Sequence, residues 1–132
     1  MTDDIFGLTD IELNEIYIAV QQKRLRFEHP LALDLIKVLV RVKSASRIFV
    51  LDQVRRNRES AGIEIPQEFD ASVQHALEYY CRDSDVFKKR KVPDEEALFL
   101  WPKGKGRGVW ALNRSAAKVW VGKKIEQIRK KP

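Results

Sequence analysis

Apolar residues recur at helical spacing through most of this chain, and the few places where that spacing fails divide it into elements. Leu13, Ile16, Tyr17 and Val20 line one face of a first stretch, ahead of a polar end at Gln21, Gln22, Lys23 and Arg24. Thr9 with Glu12 three residues later has the form of a capping box, and Leu8 is placed to staple onto Leu13. A first helix is therefore predicted to run to about Arg26. Residues 27–30 break it, because the residue before a proline is biased away from helix while the proline itself suits a first turn.

From Pro30 to about Lys43 the pattern is denser. Leu31, Leu35, Val38, Leu39 and Val42 form a continuous face with Ile36 and Val40 beside it, which marks the most deeply buried helix. Ser44, Ala45 and Ser46 punctuate, and Arg47, Ile48 and Phe49 are read as a short strand. A third helix follows through about Ala61, with Leu51 and Val54 inward and Gly62 as its stop. Pro66 is expected to open a fourth helix whose inward stripe is Phe69, Val73, Ala76, Leu77 and Tyr80. Asp83, Ser84 and Asp85 read as a turn, ahead of the basic run Lys88, Lys89, Arg90 and Lys91.

Residues 97–101 and 109–113 have strand character. The segment between them alternates cations and glycines, Lys103-Gly104-Lys105-Gly106-Arg107-Gly108, so it predicts a long-tipped β-hairpin. Ser115 is placed to cap a last helix carrying Ala117, Val121, Ile125 and Ile128 on one side, with an extended stretch over residues 119–122 as the alternative. The expected fold class is thus α+β: a helix-rich winged helix, with three core helices and a hairpin wing at residues 30–113. A helical extension precedes it at residues 1–29, and a basic helix or tail follows at 114–132.

Charge sharpens this picture. The net balance of +6 conceals an uneven distribution: residues 1–87 hold 11 Lys/Arg against 15 Asp/Glu, whereas residues 88–132 hold 14 against 4. A basic last third attracts polyanions, nucleic acid foremost. No apolar run approaches the roughly 18–20 residues of a membrane span, and the first residues have neither a basic leader nor an apolar signal core, so a cytoplasmic setting without membrane attachment is expected. One cysteine, Cys81, and two distant histidines, His29 and His75, offer no ligand cluster. No metal, cofactor or catalytic residue is implied, and the protein is not expected to be an enzyme. Cys81 ends an apolar helical face and reads as an inert buried thiol.

The order of helices followed by a glycine-tipped hairpin resembles winged helix-turn-helix domains. Phe69-Asp70-Ala71-Ser72-Val73, Ser84-Asp85-Val86-Phe87, Ala97-Leu98-Phe99 and Gly106-Arg107-Gly108-Val109-Trp110-Ala111-Leu112 are similar to winged-helix modules of the HARE-HTH type and others associated with bacterial restriction endonucleases. The resemblance implies a DNA-binding or modified-DNA-associated module. The chain departs from that pattern in its richly basic wing and in the acidic insert Asp94, Glu95 and Glu96.

Three sets of residues are candidates for contact with double-stranded DNA. Lys103, Lys105 and Arg107 on the wing can reach phosphates or a minor groove, while the intervening glycines permit close approach. Gln67, Ser72, Gln74 and His75 lie on the outward side of the expected recognition helix, with Glu68, Asp70 and Glu78 opposing phosphate. Lys88, Lys89, Arg90, Lys91, Lys123 and Lys124 can neutralise backbone charge without reading sequence, as can the group Arg55, Arg56 and Arg58. Trp101 and Trp110 are expected in the core. Trp120 either docks the tail or lines a homodimer interface formed by the terminal helices. The expected role is that of a bacterial or phage transcription regulator or DNA-modification accessory. The competing expectations are a protein-interaction or dimerisation module on the same scaffold, and RNA binding.

Overall fold

The computed structural model describes residues 10–22 and 31–130. The Thr9 cap, the Leu8 staple, the side chain of Leu13, His29 and the break at residues 27–30 lie outside the described residues.

Six helices and three short strands order the described chain: α1 Asp10–Gln21, α2 Ala32–Leu39, β1 Ala45–Ser46, α3 Arg47–Ala61, α4 Phe69–Tyr79, α5 Asp85–Arg90, β2 Phe99–Leu100, β3 Val109–Leu112 and α6 Arg114–Lys130. The class is α+β, with a small antiparallel sheet of order β1-β3-β2. Among the described residues, no helix is long and apolar enough to cross a membrane.

Helix α2 is the centre. Every residue from Ala32 to Leu39 except Lys37 is buried, as a helix apolar on nearly all sides requires. It stops four residues short of the expected Lys43. Val38, Val40 and Val42 crowd the helical turn, and the chain tightens through Arg41 N–H to the Val38 carbonyl (3.3 Å) and Val42 N–H to the Leu39 carbonyl (3.4 Å) before straightening into β1.

The expected strand at residues 47–49 is displaced. The strand is Ala45–Ser46, pairing Ala45 with Trp110 and Ser46 with Val109, and Arg47 already begins α3. The Ser46 hydroxyl decides this boundary by accepting the Phe49 N–H at 3.2 Å, a helix N-cap. Helix α3 buries Val50, Val54 and Arg58 at four-residue intervals. Gly62, at φ +70, ends it as expected, with Ile63 N–H reaching the Arg58 carbonyl (2.8 Å) and Gly62 N–H the Glu59 carbonyl (3.2 Å).

Helix α4 begins at Phe69, not at Pro66, because Glu68 takes a left-handed conformation (φ +54) immediately before it. Its inward stripe is the expected one: Phe69, Val73, Ala76 and Leu77, continued by Tyr80. The basic run is itself helical. Ser84 caps α5 by accepting the Phe87 N–H at 3.1 Å, and its hydroxyl donates back to the Glu78 carbonyl at 2.5 Å. Phe87 fixes α5 to the body, and a 3₁₀ turn at Asp94–Glu96 leads to the hairpin.

In the hairpin Phe99 faces Leu112 and Leu100 faces Ala111. Trp110 is buried and Trp101 half-buried, their rings edge to face at 5.7 Å, so the two tryptophans expected in the core brace the base of the loop. Residues 119–122 are helical, which settles the last element: α6 packs on α1 and on the 3₁₀ turn through Ala116, Ala117, Val121 and Ile125.

Candidate nucleic-acid interface

At the hairpin tip, Gly104, Gly106 and Gly108 have φ of +92, +79 and +66. Side-chain-bearing residues rarely hold that left-handed backbone, so alternating glycines let the tip fold back sharply while Lys103, Lys105 and Arg107 project into solvent. The Gly104 N–H closes the first bend on the Trp101 carbonyl at 3.1 Å. The Trp101 N–H is held by the Asp83 carboxylate at 2.9 Å.

The tip does not stand alone. Lys105 Nζ lies 3.7 Å from Asp85 Oδ2, at the first residue of α5. One turn further along α5 are Lys88 and Lys89, both exposed. The fold therefore sets the hairpin tip beside the start of α5 through one exposed contact, in which Lys105 meets a carboxylate. Both Asp85 at the start of α5 and the cations in its last turn suit the helix dipole, so this short helix is electrostatically self-consistent.

Arg90 departs from the run it belongs to. Its guanidinium lies 3.7 Å over the Tyr79 ring, donates to the Tyr79 carbonyl at 2.7 Å and sits 3.6 Å from Glu96, with the side chain only 12% exposed. It is a packing residue, unlike its exposed neighbours Lys88 and Lys89. Lys91, exposed at φ +52, terminates the helix. Arg58, grouped in sequence with Arg55 and Arg56, is buried on Asp34. Arg56 pairs with Asp52 at 2.9 Å, and Arg55 stacks over Phe69 and approaches Asp70 at 3.7 Å.

On α4 the outward side is more acidic than basic. Gln67, expected on this helix, is exposed in the turn ahead of it because α4 begins only at Phe69; Ser72 is half-buried, Gln74 donates its amide N–H to Glu78 Oε2 at 2.7 Å, and the His75 ring lies 5.8 Å from Tyr79. A Gln74 amide reading a base edge would have to leave Glu78. Lys123 and Lys124 on α6 serve local partners: Lys123 approaches Glu95 at 3.4 Å, and Lys124 lies 5.2 Å over the Trp120 ring. Of the candidates, Lys105 is brought beside the start of α5, paired with an exposed carboxylate as Lys123 is on α6, and the α4 candidates lie on a surface of different composition.

Sequence reading missed α5 and with it the contact to the hairpin tip. The signal was present as Ser84 followed by Asp85, with three cations a turn later, the pattern of a capped and dipole-matched helix. Among the described residues, no group of three or more His, Cys, Asp or Glu side chains could hold a metal ion. The chain matches no protein-family model, no curated protein and no solved structure.

Proposed function

We propose that this protein is a winged-helix module that binds double-stranded DNA through its phosphates, led by the hairpin tip and α5, and serves as a regulator or DNA-modification accessory. The observation that carries the reading is the exposed hairpin tip, where glycines at positive φ alternate with Lys103, Lys105 and Arg107, set beside the start of α5 by the Lys105–Asp85 contact. The order of α2, α3 and α4, then the short α5 and a 3₁₀ turn, then a hairpin with β3 between β1 and β2, supports a winged-helix plan with an extra helix ahead of the wing. The acidic outward side of α4 disfavours deep major-groove reading, so affinity resides in backbone contacts and is weakly dependent on sequence.

The test is duplex affinity as a function of salt. The logarithm of the association constant should fall linearly with the logarithm of salt concentration, by about 0.9 per neutralised phosphate. Replacing Lys103, Lys105 and Arg107 by alanine, or Lys88 and Lys89 by alanine, should each weaken binding and flatten that slope. An absence of duplex binding at low salt overturns the proposal. Preference for structured RNA over duplex DNA in direct competition would redirect it to RNA.

A second reading, a protein-interaction module, is favoured by the carboxylates of Glu68, Asp70 and Glu78 along α4. Unchanged duplex affinity in both alanine variants would support it.

A further inference from the structure

The outer edge of β2 is covered by the turn that joins α4 to α5. The Phe99 N–H donates to the Tyr80 carbonyl at 3.1 Å and the Arg82 N–H to the Phe99 carbonyl at 2.9 Å, which sets Cys81 beside Phe99 as a parallel partner. Continued as a parallel ladder, this pairing would give the Trp101 N–H to the Arg82 carbonyl. The chain is already turning into α5, however, with the Ser84 N–H on the Cys81 carbonyl at 3.0 Å, and the Trp101 N–H goes instead to Asp83 Oδ2 at 2.9 Å. A side-chain carboxylate thus stands in for the next strand carbonyl, and an ionised acceptor holds an N–H more strongly than a neutral one. The other oxygen, Oδ1, faces Arg82 Nε at 3.6 Å.

Trp101 is the neck of the hairpin. Its carbonyl accepts the Gly104 N–H that closes the first bend, and its ring meets Trp110 edge to face. Beyond it lie three glycines at positive φ, a backbone with little stiffness of its own. The tip's contact with α5, Lys105 on Asp85, joins two side chains each more than two-thirds exposed and contributes little to holding it. The direction in which the tip projects is therefore set at Trp101. We propose that Asp83 is a positioning residue for the hairpin tip, holding the neck against the α4–α5 turn so that Lys103, Lys105 and Arg107 meet a duplex in one fixed direction. The inference rests on the duplex-binding reading above. Charge alone argues the reverse: a carboxylate this near the tip repels phosphate, so removing it would tighten binding if it did not aim the tip.

Asp83→Ala and Asp83→Asn separate the two effects in the whole chain. Asparagine loses the charge but keeps an oxygen for the Trp101 N–H, whereas alanine loses both. Duplex affinity at low salt should fall about tenfold in Asp83→Ala and equal or exceed the parent's in Asp83→Asn. Added to K103A/K105A/R107A, Asp83→Ala should weaken binding no further, because no tip charge is left to aim. The Trp101 amide should exchange with solvent about tenfold faster in Asp83→Ala and as in the parent in Asp83→Asn, with the α4 amides protected in both. Unchanged or tighter binding in Asp83→Ala, equal weakening in both Asp83 variants, losses that add to those of the tip, or an unaltered Trp101 amide would each overturn the proposal while leaving duplex binding by the parent in place. Loss of α4 protection in Asp83→Ala would also overturn it, by showing that the residue holds the fold and not the tip. A parent chain that binds no duplex overturns the duplex reading itself, and this use of the tip with it.

Discussion

Arg58 of α3 grips Asp34 of α2 with two parallel hydrogen bonds, Nε to Oδ1 at 3.0 Å and Nη2 to Oδ2 at 2.8 Å, in a site closed to solvent on both sides. The remaining guanidinium nitrogen donates to the Glu64 carbonyl at 2.7 Å, and Tyr17 of α1 hydrogen-bonds to Asp34. One ion pair thus fastens α1, α2, α3 and the linker to α4. Removing either member leaves a buried charge alone, which costs about 3–5 kcal/mol, whereas replacing both with apolar residues of similar volume is far less damaging. Asp34→Ala should therefore lower the midpoint of urea unfolding strongly, and Asp34→Leu combined with Arg58→Met should recover much of the loss.

Tyr17 makes stability fall in alkali. Burial, then the charge of Asp34 and the hydrogen bond to it, push the phenol well above its ordinary range, with Arg58 opposing. The unfolded chain ionises this phenol near pH 10 while the folded chain keeps it protonated, so stability is full below that pH and declines above it by about 1.4 kcal/mol per unit. Tyr17→Phe should cost about 1 kcal/mol near neutrality through the lost hydrogen bond. Its stability should converge on that of the parent above pH 10. Parallel curves would mean that another group controls the alkaline limb.

Neighbouring cations on α5 should behave oppositely. Arg90→Ala removes the stack on Tyr79 and the bond to its carbonyl, at a cost of about 2 kcal/mol, and Arg90→Lys should not restore the planar contact. Lys88→Ala with Lys89→Ala should shift stability by less than about 0.5 kcal/mol per site while weakening duplex affinity. Thermal unfolding and binding titrations of the same variants separate the two behaviours.

Cys81 should be slow to react. Burial first, with a nearby Asp83 charge, raises its thiol to about 11, against opposing backbone hydrogen bonds from Asp83 and Ser84. At pH 8 the native thiolate fraction is then about a hundredfold below that of an unperturbed cysteine. Alkylation by iodoacetamide should be at least that much slower in buffer than in denaturant. Comparable rates would show that the site opens readily.

Periodicity revealed the helices because their apolar stripes are long: Leu31 to Leu39 and Phe69 to Leu77 are buried as their spacing demands. The glycine-tipped hairpin was equally legible, its backbone signs being written into the residue types at positions 104, 106 and 108. Boundaries were less so. Ser46 serves as both strand residue and helix cap, and Glu68 adopts a left-handed turn without being glycine, neither of which the residue types announce. Side-chain direction was the least legible. Arg58 and Arg90 look like their charged neighbours in sequence, and only three-dimensional partners, Asp34 in one case and Tyr79 in the other, turn them inward.

The sheet register also implies an order of assembly. The α2–α3 ion pair joins residues 24 positions apart, whereas Arg114 reaches across 74 positions to the Val40 carbonyl, beside the strand pair that seats the hairpin. Closing the longer loop is entropically slower, so α2 and α3 should gain protection from hydrogen exchange early in refolding and the β1–β3 ladder late. The hairpin would then be the last element to find its place, arriving on a helical body already formed.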